Sequence, residues 1–201
     1  IIDNLMNLAL LFKAYELTGD EKFLKPALSH ADKTLANHIR GDGSAFHLVA
    51  YNPETGEVDA RKTSQGFSDS SAWSRGQAWA IYGFTMCYRF TKKPEYLETA
   101  MKAADFFINH KNLPEDSIPY WDFNIGEFTD YEWAYDPERF EEEPRDASAA
   151  AATASALLEL KNYVDDPAKA QQYRDAAVKM LSSLASQAYM AERGENNYYL
   201  L

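Results

Sequence analysis

The chain has 201 residues, of which 46% are hydrophobic and 14% aromatic, which is enough to form a buried core in a single domain spanning residues 1–201. Its 31 acidic and 20 basic residues give a net charge of −11, which argues against nucleic acid and anionic membranes as partners. The single cysteine, Cys87, excludes an internal disulfide and a cysteine-rich metal site.

The chain begins at Ile1 inside an apolar pattern, without a basic leader or a small-residue cleavage site. We therefore expect the N-terminal part of a longer protein to be missing. The apolar run LALLF is followed directly by Lys13 and is too short to cross a membrane. A single thiol is compatible with the cytoplasm and with the periplasm, so the compartment stays open.

Helical spacing of apolar residues, together with stop signals such as Gly19, predicts six helices. They cover residues 1–19, 20–39, 72–91, 94–111, 146–164 and 167–189. The segment from 40 to 71 is predicted to be irregular, and 112–145 is a long connection rich in proline and aromatic residues. The tail from Met190 to Leu201 is left unassigned.

The helices form pairs, and the pairs repeat. Residues of the second helix match residues of the fourth at a spacing of 73, as in Leu24 and Leu97, Ala27 and Ala100, and Asp32 and Asp105. A weaker third copy matches Tyr173 to Tyr96. The first helix of each pair is apolar on nearly all sides and the second is amphipathic, so we expect an inner row of helices covered by an outer row. This pattern predicts an all-α array of helical hairpins, as a toroid or a solenoid.

The connections between hairpins are about 30 residues long, whereas the turns within hairpins are short. Long loops commonly carry function, and these lead into the N-terminal ends of the inner helices. Asp3 lies at the first of these ends. Arg75 and Trp79 share one face of the third helix at the second end, close to Trp73. A guanidinium beside aromatic rings suits a sugar that carries a carboxylate.

Three motifs, IIDNLMNL, SRGQAWAIYG and RDASAAAA, occur in this order and resemble the unsaturated glucuronyl hydrolases of glycoside hydrolase family 88. The resemblance covers essentially the whole chain. RDASAAA is shared with the related unsaturated rhamnogalacturonyl hydrolases, which typically have RGN where this chain has RGQ. The resemblance implies an (α/α)6 toroid, of which three hairpins would form about half.

The resemblance also implies a reaction. Such enzymes remove a 4,5-unsaturated uronic acid from the non-reducing end of oligosaccharides that polysaccharide lyases, for example those acting on glycosaminoglycans, have produced. A carboxylic acid protonates C4 of the vinyl ether, water adds at C5, and the hemiketal opens to release the remaining saccharide. The expected partner is thus an anionic unsaturated oligosaccharide, and neither a cofactor nor a metal is expected.

The family's site residues can be carried over to matching positions. Asp3 matches the general acid/base, a role that needs a carboxyl group with a raised pKa. A second aspartate of the family would lie upstream of residue 1. The positions that match substrate contacts are His47, Gln65, Arg75 and Trp79, with Trp73 as a further candidate for the pocket wall.

Each of these residues has a structural alternative. Asp3 could stabilise the helix dipole, His47 could be a hydrogen-bonded structural histidine, and Trp79 could belong to the core. Arg75 could pair with a loop acid such as Asp69, and Gln65 could be part of the loop scaffold. Asp146 is predicted to be only the N-cap of the alanine-rich helix.

Two other functions stay open for the chain. It could be a non-catalytic array of helical hairpins that binds protein or sugar, or an inert part of the hydrolase. Half a ring would leave inner helices exposed at two edges, so we expect the 201-residue chain alone to self-associate or to be poorly soluble.

Overall fold

The computed structural model describes residues 1–128, 141–192 and 194. The middle of the 112–145 connection and most of the tail from Met190 therefore lie outside the described residues. The described residues form six helices and one two-stranded sheet. The helices are α1 (Asn4–Thr18), α2 (Glu21–His38), α3 (Ser74–Thr91), α4 (Pro94–Asn109), α5 (Ala147–Leu160) and α6 (Pro167–Leu184), and the strands are β1 (Leu48–Tyr51) and β2 (Val58–Lys62).

The helices are arranged as three hairpins in series. α1 packs on α3 and α3 packs on α5, while α2, α4 and α6 each pack against the inner helix that precedes them. This arrangement confirms the predicted fold class: helical hairpins that form about half of an (α/α)6 toroid. In the part of the chain that the structure describes, no helix is long and apolar enough to cross a membrane.

The turn inside the first two hairpins has the same construction. Gly19 ends α1 in the left-handed conformation (φ +67°), which glycine adopts without steric cost, as the sequence predicts. Lys92 takes the same conformation after α3 (φ +58°). In both hairpins the preceding threonine hydroxyl, of Thr18 or Thr91, donates to the carbonyl four residues earlier. The sequence repeat thus corresponds to a repeated turn.

The outer helices are linked to one another by a repeated acid–tyrosine contact. Asp32 of α2 accepts a hydrogen bond from the Tyr96 hydroxyl of α4. Asp105 of α4 accepts one from the Tyr173 hydroxyl of α6 at 3.0 Å. A lysine approaches each aspartate as well, at 3.3 Å for Lys93 and 2.8 Å for Lys169. The aspartates that revealed the repeat therefore join successive outer helices.

The inner helices are not equally buried. Most residues of α3 are buried, including Ala78, Ile81 and Phe84. The expectation that half a ring leaves an inner helix exposed at its edge agrees with α1, whose Leu10 and Leu17 are 76% and 75% exposed. The reason is that α1 lies at the end of the array, where α2 and α3 are its main packing partners among the described elements.

The segment predicted to be irregular contains an antiparallel hairpin, β1–β2, with a bulge between Ala50 and Tyr51. The Asn52 side chain accepts hydrogen bonds from the backbone N–H groups of Glu54 and Thr55, which closes the turn. The strands are only four and five residues long, too short for a clear alternating pattern.

The two long connections meet at one end of the array. An isolated bridge between Trp73 and Asp122 joins the segment that precedes α3 to the connection that precedes α5. A second bridge, between Tyr120 and Arg145, closes that connection on itself. The Arg40 guanidinium donates to the carbonyls of Ala45 and Ser71, which ties the start of the first connection to its end. The N-terminal ends of the inner helices are therefore gathered at a common rim.

Candidate functional site

Asp3 directly precedes α1 at this rim. Its side chain makes no capping hydrogen bond to the helix, so it does not act as an ordinary N-cap. The preceding residue, Ile2, donates its backbone N–H to the His47 carbonyl at 2.9 Å, which fixes the start of α1 beside the first long connection. The Asp3 side chain is 18% exposed and thus lies in a partly enclosed position that solvent can reach.

His47 faces Asp3 with a defined ring nitrogen. His47 Nδ1 accepts hydrogen bonds from the backbone N–H groups of Ser64 and Gln65, at 3.0 and 3.3 Å. Because Nδ1 is an acceptor, the neutral ring carries its hydrogen on Nε2. That atom lies 3.6 Å from Asp3 Oδ2, longer than a hydrogen bond. Both atoms are buried without a hydrogen-bond partner among the described residues, so a small movement or a bound group would satisfy them.

The pKa of Asp3 is the net result of opposing effects. Burial raises the pKa, but the His47 side chain and hydrogen bonding to its own backbone lower it, and the net pKa lies below the ordinary aspartate value. The expectation of a raised pKa is therefore not met by the residues described here. A further negative charge brought next to Asp3 would shift the pKa upward.

Trp73 packs against His47, and Arg75 in turn packs against Trp73. The Trp73 ring lies 4.5 Å from the His47 ring, and the Arg75 guanidinium lies 5.0 Å from the Trp73 ring. Trp73 is only 4% exposed, so its ring packs against His47 and Arg75 from the interior of the protein. Arg75 is 34% exposed and reaches the Gln65 side chain, with 3.4 Å between Nη2 and Oε1. These contacts bring Asp3, His47, Gln65, Trp73 and Arg75 into one continuous cluster.

Asp146 has a role beyond the predicted cap. Its Oδ1 accepts the Ala149 N–H at 2.8 Å, which confirms it as the N-cap of α5. Its Oδ2 lies 3.5 Å from Arg75 Nη1, so the same carboxylate also orients the guanidinium. This pairing was missed because the two residues lie on different hairpins and no local pattern connects them.

Trp79 lies one helical turn further into the array than Arg75. Its indole contacts the Tyr82 ring edge-on, with 6.1 Å between centroids. Together they line a cavity of about 350 Å³ between the inner helices, whose other lining residues are Met6, Asn7, Ala152 and Ser155. Trp79 is half-buried, so it faces this hollow and does not belong wholly to the core. The hollow lies next to the cluster around Asp3, since Asn7 is one turn along α1 from Asp3.

Sequence reasoning also missed Asp122, which is buried below the loop that carries Gln65. The only local signal was an acid between aromatic residues in PYWDF, inside the proline-rich connection. Among the described residues, no three His, Cys, Asp or Glu side chains lie close enough to hold a metal ion.

Comparison with known proteins gives a consistent result. The family model described as Glycosyl Hydrolase Family 88 matches residues 2–199. An unsaturated glucuronyl hydrolase of Formosa agariphila is 44% identical over 201 residues, which is 100% of this chain and 46% of that protein.

Solved structures agree with the sequence comparison. An unsaturated glucuronyl hydrolase specific for heparin superposes with a TM-score of 0.88 at 42% identity, covering 100% of this chain and 50% of the other. A mutant of the Streptococcus agalactiae enzyme, in complex with dGlcA-GalNAc6S, has a TM-score of 0.74 at 41% identity, covering 93% of this chain and 46% of the other. The chain spans about half the length of the relatives that it matches.

Proposed function

The chain belongs to glycosyl hydrolase family 88, and we propose that it supplies the proton-transfer and carboxylate-binding half of a hydrolase for 4,5-unsaturated uronides. The observation that carries this proposal is the cluster at the rim, where a solvent-accessible Asp3 faces the Nε2–H of His47. The exposed guanidinium of Arg75 is linked to that pair through Trp73 and Gln65.

Asp3 is the proposed general acid and base. As an acid it gives a proton to C4 of the vinyl ether, which leaves positive charge on C5 and the ring oxygen. As a base it then takes a proton from the water that attacks C5. The C5 hemiketal opens to a keto acid and leaves a hemiacetal at C1, which releases the remaining saccharide. The double bond is consumed, so the reaction needs no displacement at the anomeric carbon.

The lowered pKa of Asp3 adds a requirement to this proposal. An acid that donates a proton must hold one first, so substrate binding has to raise the pKa of Asp3. The uronate carboxylate has the required charge, and a second aspartate of the kind that the family resemblance implies would act in the same direction. The proposed role of the His47 Nε2–H is to orient the Asp3 carboxylate or the attacking water.

Arg75 is the proposed ligand of the uronate carboxylate. A guanidinium can hold a carboxylate by two parallel hydrogen bonds, and Asp146 and Gln65 hold this one in place. Trp79 offers an aromatic face in the adjoining hollow, which suits the apolar face of a sugar ring. One related structure is of a hydrolase specific for heparin, and another is of a complex with dGlcA-GalNAc6S, so unsaturated glycosaminoglycan disaccharides are the proposed substrates.

The test is loss of ultraviolet absorbance when the whole protein acts on lyase-generated disaccharides of heparin, chondroitin and hyaluronan. Saturated disaccharides with the same linkage are the matched control, because they have no vinyl ether. We expect the absorbance to fall with at least one unsaturated substrate and no cleavage of the saturated ones. Unchanged absorbance with every unsaturated substrate would contradict the proposal.

For the 201-residue chain alone, we propose self-association. Leu10 and Leu17 of α1 are strongly exposed at one edge, and Val178 and Leu181 of α6 are 44% and 42% exposed on the last outer helix. We expect size-exclusion chromatography to show dimers or larger species. A stable monomer would contradict the proposal, because it would show that these apolar side chains can stay exposed to solvent.

A further inference from the structure

Asp122 is a buried carboxylate that the proposed chemistry does not use. The residue is 1% exposed. Its Oδ2 accepts hydrogen bonds from the Phe67 N–H at 2.8 Å and from the Ser71 hydroxyl at 2.6 Å, and its Oδ1 accepts the Asn124 N–H at 2.8 Å. Asp122 thereby joins the second long connection to the loop of residues 63–71, which belongs to the first.

The 63–71 loop supplies the two backbone N–H groups that determine the tautomer of the His47 ring. Ser64 and Gln65 donate their backbone N–H groups to His47 Nδ1. The loop is closed on itself by the Gly66 N–H, which donates to Thr63 Oγ1, and by the Thr63 N–H, which donates to Asp69 Oδ1. The donors to His47 and the groups held by Asp122 are therefore only a few residues apart in a compact loop.

The loop passes directly over the Asp122 carboxylate. A Cβ atom at Gly66 would lie 2.6 Å from Thr63 Oγ1 and 3.0 Å from Asp122 Oδ2. Glycine is therefore required for this approach. Ser71, at the end of the loop, is held from both sides, because its hydroxyl donates to Asp122 and its carbonyl accepts from Arg40.

Burying a carboxylate at this point is costly, and its hydrogen bonds offset that cost. Burial raises the pKa of Asp122, although the Ser71 hydroxyl, the Phe67 and Asn124 N–H groups and the Arg40 charge all favour the ionised form. An asparagine at position 122 has only one oxygen, so it could not accept hydrogen bonds at both of the positions that the Asp122 oxygens occupy. It would turn an N–H group toward at least one of the present donors.

We propose that Asp122 is a positioning residue: it holds the 63–71 loop so that Ser64 and Gln65 keep His47 in the tautomer that presents Nε2–H to Asp3. The inference rests on the proposed function for its effect on turnover, but its effect on the His47 ring can be measured without any substrate. Asp122 acts through the loop and does not touch the reacting atoms.

The experiment compares Asp122→Asn with the unaltered whole protein, using ¹⁵N NMR of the histidine rings and the rate of absorbance loss. The His47 signals are assigned by their disappearance in His47→Asn. Asp32→Asn is the matched control, because it also removes a carboxylate that accepts hydrogen bonds, but on the outer helices. Ser71→Ala, which removes a single hydrogen bond to Asp122, is the second variant in case Asp122→Asn does not fold.

In the unaltered protein and in Asp32→Asn, we expect His47 to show an unprotonated Nδ1 and a protonated Nε2. In Asp122→Asn we expect a mixture of tautomers and a fall in kcat of about 100-fold, the scale of a 1 Å misplacement. Ser71→Ala should shift the tautomer ratio and kcat in the same direction, but by less.

Unchanged turnover in Asp122→Asn, or lost turnover with an unchanged His47 spectrum, would overturn the proposal. An unaltered protein without turnover would refute the proposed function and leave the spectral test intact.

Discussion

Gly83 of α3 lies directly against the Leu5 side chain of α1, without room for a Cβ atom between them. The contact sets the distance between the two inner helices, and Asp3 and Arg75 are placed at the starts of these same helices. The position of the acid relative to the guanidinium thus depends on a glycine well inside the array.

Gly83→Ala is expected to destabilise the protein. The added methyl group meets Leu5 Cβ, which cannot move unless α1 shifts, and overpacking of this kind costs about 1–3 kcal/mol. The higher helix propensity of alanine, about 1 kcal/mol, offsets part of the loss. Urea denaturation measures the difference. In a Leu5→Gly background the clashing Cβ atom is absent, so Gly83→Ala should become neutral or stabilising there. A loss of equal size in both backgrounds would show that the contact is unimportant.

Tyr96→Phe is expected to lower stability by about 1 kcal/mol, because Asp32 loses a hydrogen bond that joins two outer helices. Turnover should not change, since this contact lies on the outer helices. The Asp32→Asn and Tyr96→Phe double variant should be less destabilised than the sum of the single variants. Strict additivity of the two free energies of unfolding would show that the two side chains do not interact.

His38 predicts a pH dependence of stability. Burial lowers the pKa of His38 to about 4, even though its hydrogen bond to the Phe46 carbonyl raises it. An unfolded histidine titrates near pH 6.5, so between these values the unfolded chain binds a proton that native His38 does not. The free energy of unfolding should therefore fall as the pH falls from about 6.5 to about 4, by up to about 3 kcal/mol from this group.

His38→Asn keeps an N–H donor near the position of Nδ1 but cannot take up a proton in this range. Its free energy of unfolding should change less between pH 6.5 and 4 than that of the unaltered protein. Equal pH dependence in the two proteins would show that His38 does not cause the effect.

Arg75→Ala is expected to weaken substrate binding. Loss of a charged hydrogen bond of about 1.5–3 kcal/mol corresponds to a rise in KM of about 10- to 100-fold. The methyl ester of the uronate has no charge for Arg75 to bind, so its KM should change far less between the two proteins. Arg89→Ala is the matched control, because Arg89 pairs with Glu159 at the opposite end of α3. Equal effects on the acid and its ester would mean that Arg75 does not bind the carboxylate.

Local patterns were sufficient for the helical framework. The helical periodicity, the Gly19 stop and the Asp146 cap are each determined by neighbouring residues, and the structure agrees with all three. The β1–β2 hairpin was missed because its strands are short and one of them contains a bulge. The exposed face of α1 agrees with the expectation that half a ring exposes its inner helices at the edges.

The site was predictable only in part, for a similar reason. Asp3 and Arg75 stand in motifs at helix starts, and the structure brings them to the same rim. The His47 tautomer depends on two N–H groups 17 and 18 residues away, and the anchoring of their loop depends on Asp122, more distant still. Such contacts form where two long connections meet, and they leave no periodic pattern in the sequence from which they could be predicted.

Proton transfer by Asp3 is the central claim, and Asp3→Asn in the whole protein tests it most directly. The measurement is the rate of absorbance loss with an unsaturated disaccharide. The matched control is Asp20→Asn, because Asp20 is the N-cap of α2 and lies at the opposite end of α1. Removal of a general acid and base costs about 10²- to 10⁴-fold, so Asp3→Asn should lose at least 100-fold in kcat while Asp20→Asn keeps its activity. An Asp3→Asn protein that turns over substrate at the unaltered rate would contradict the account.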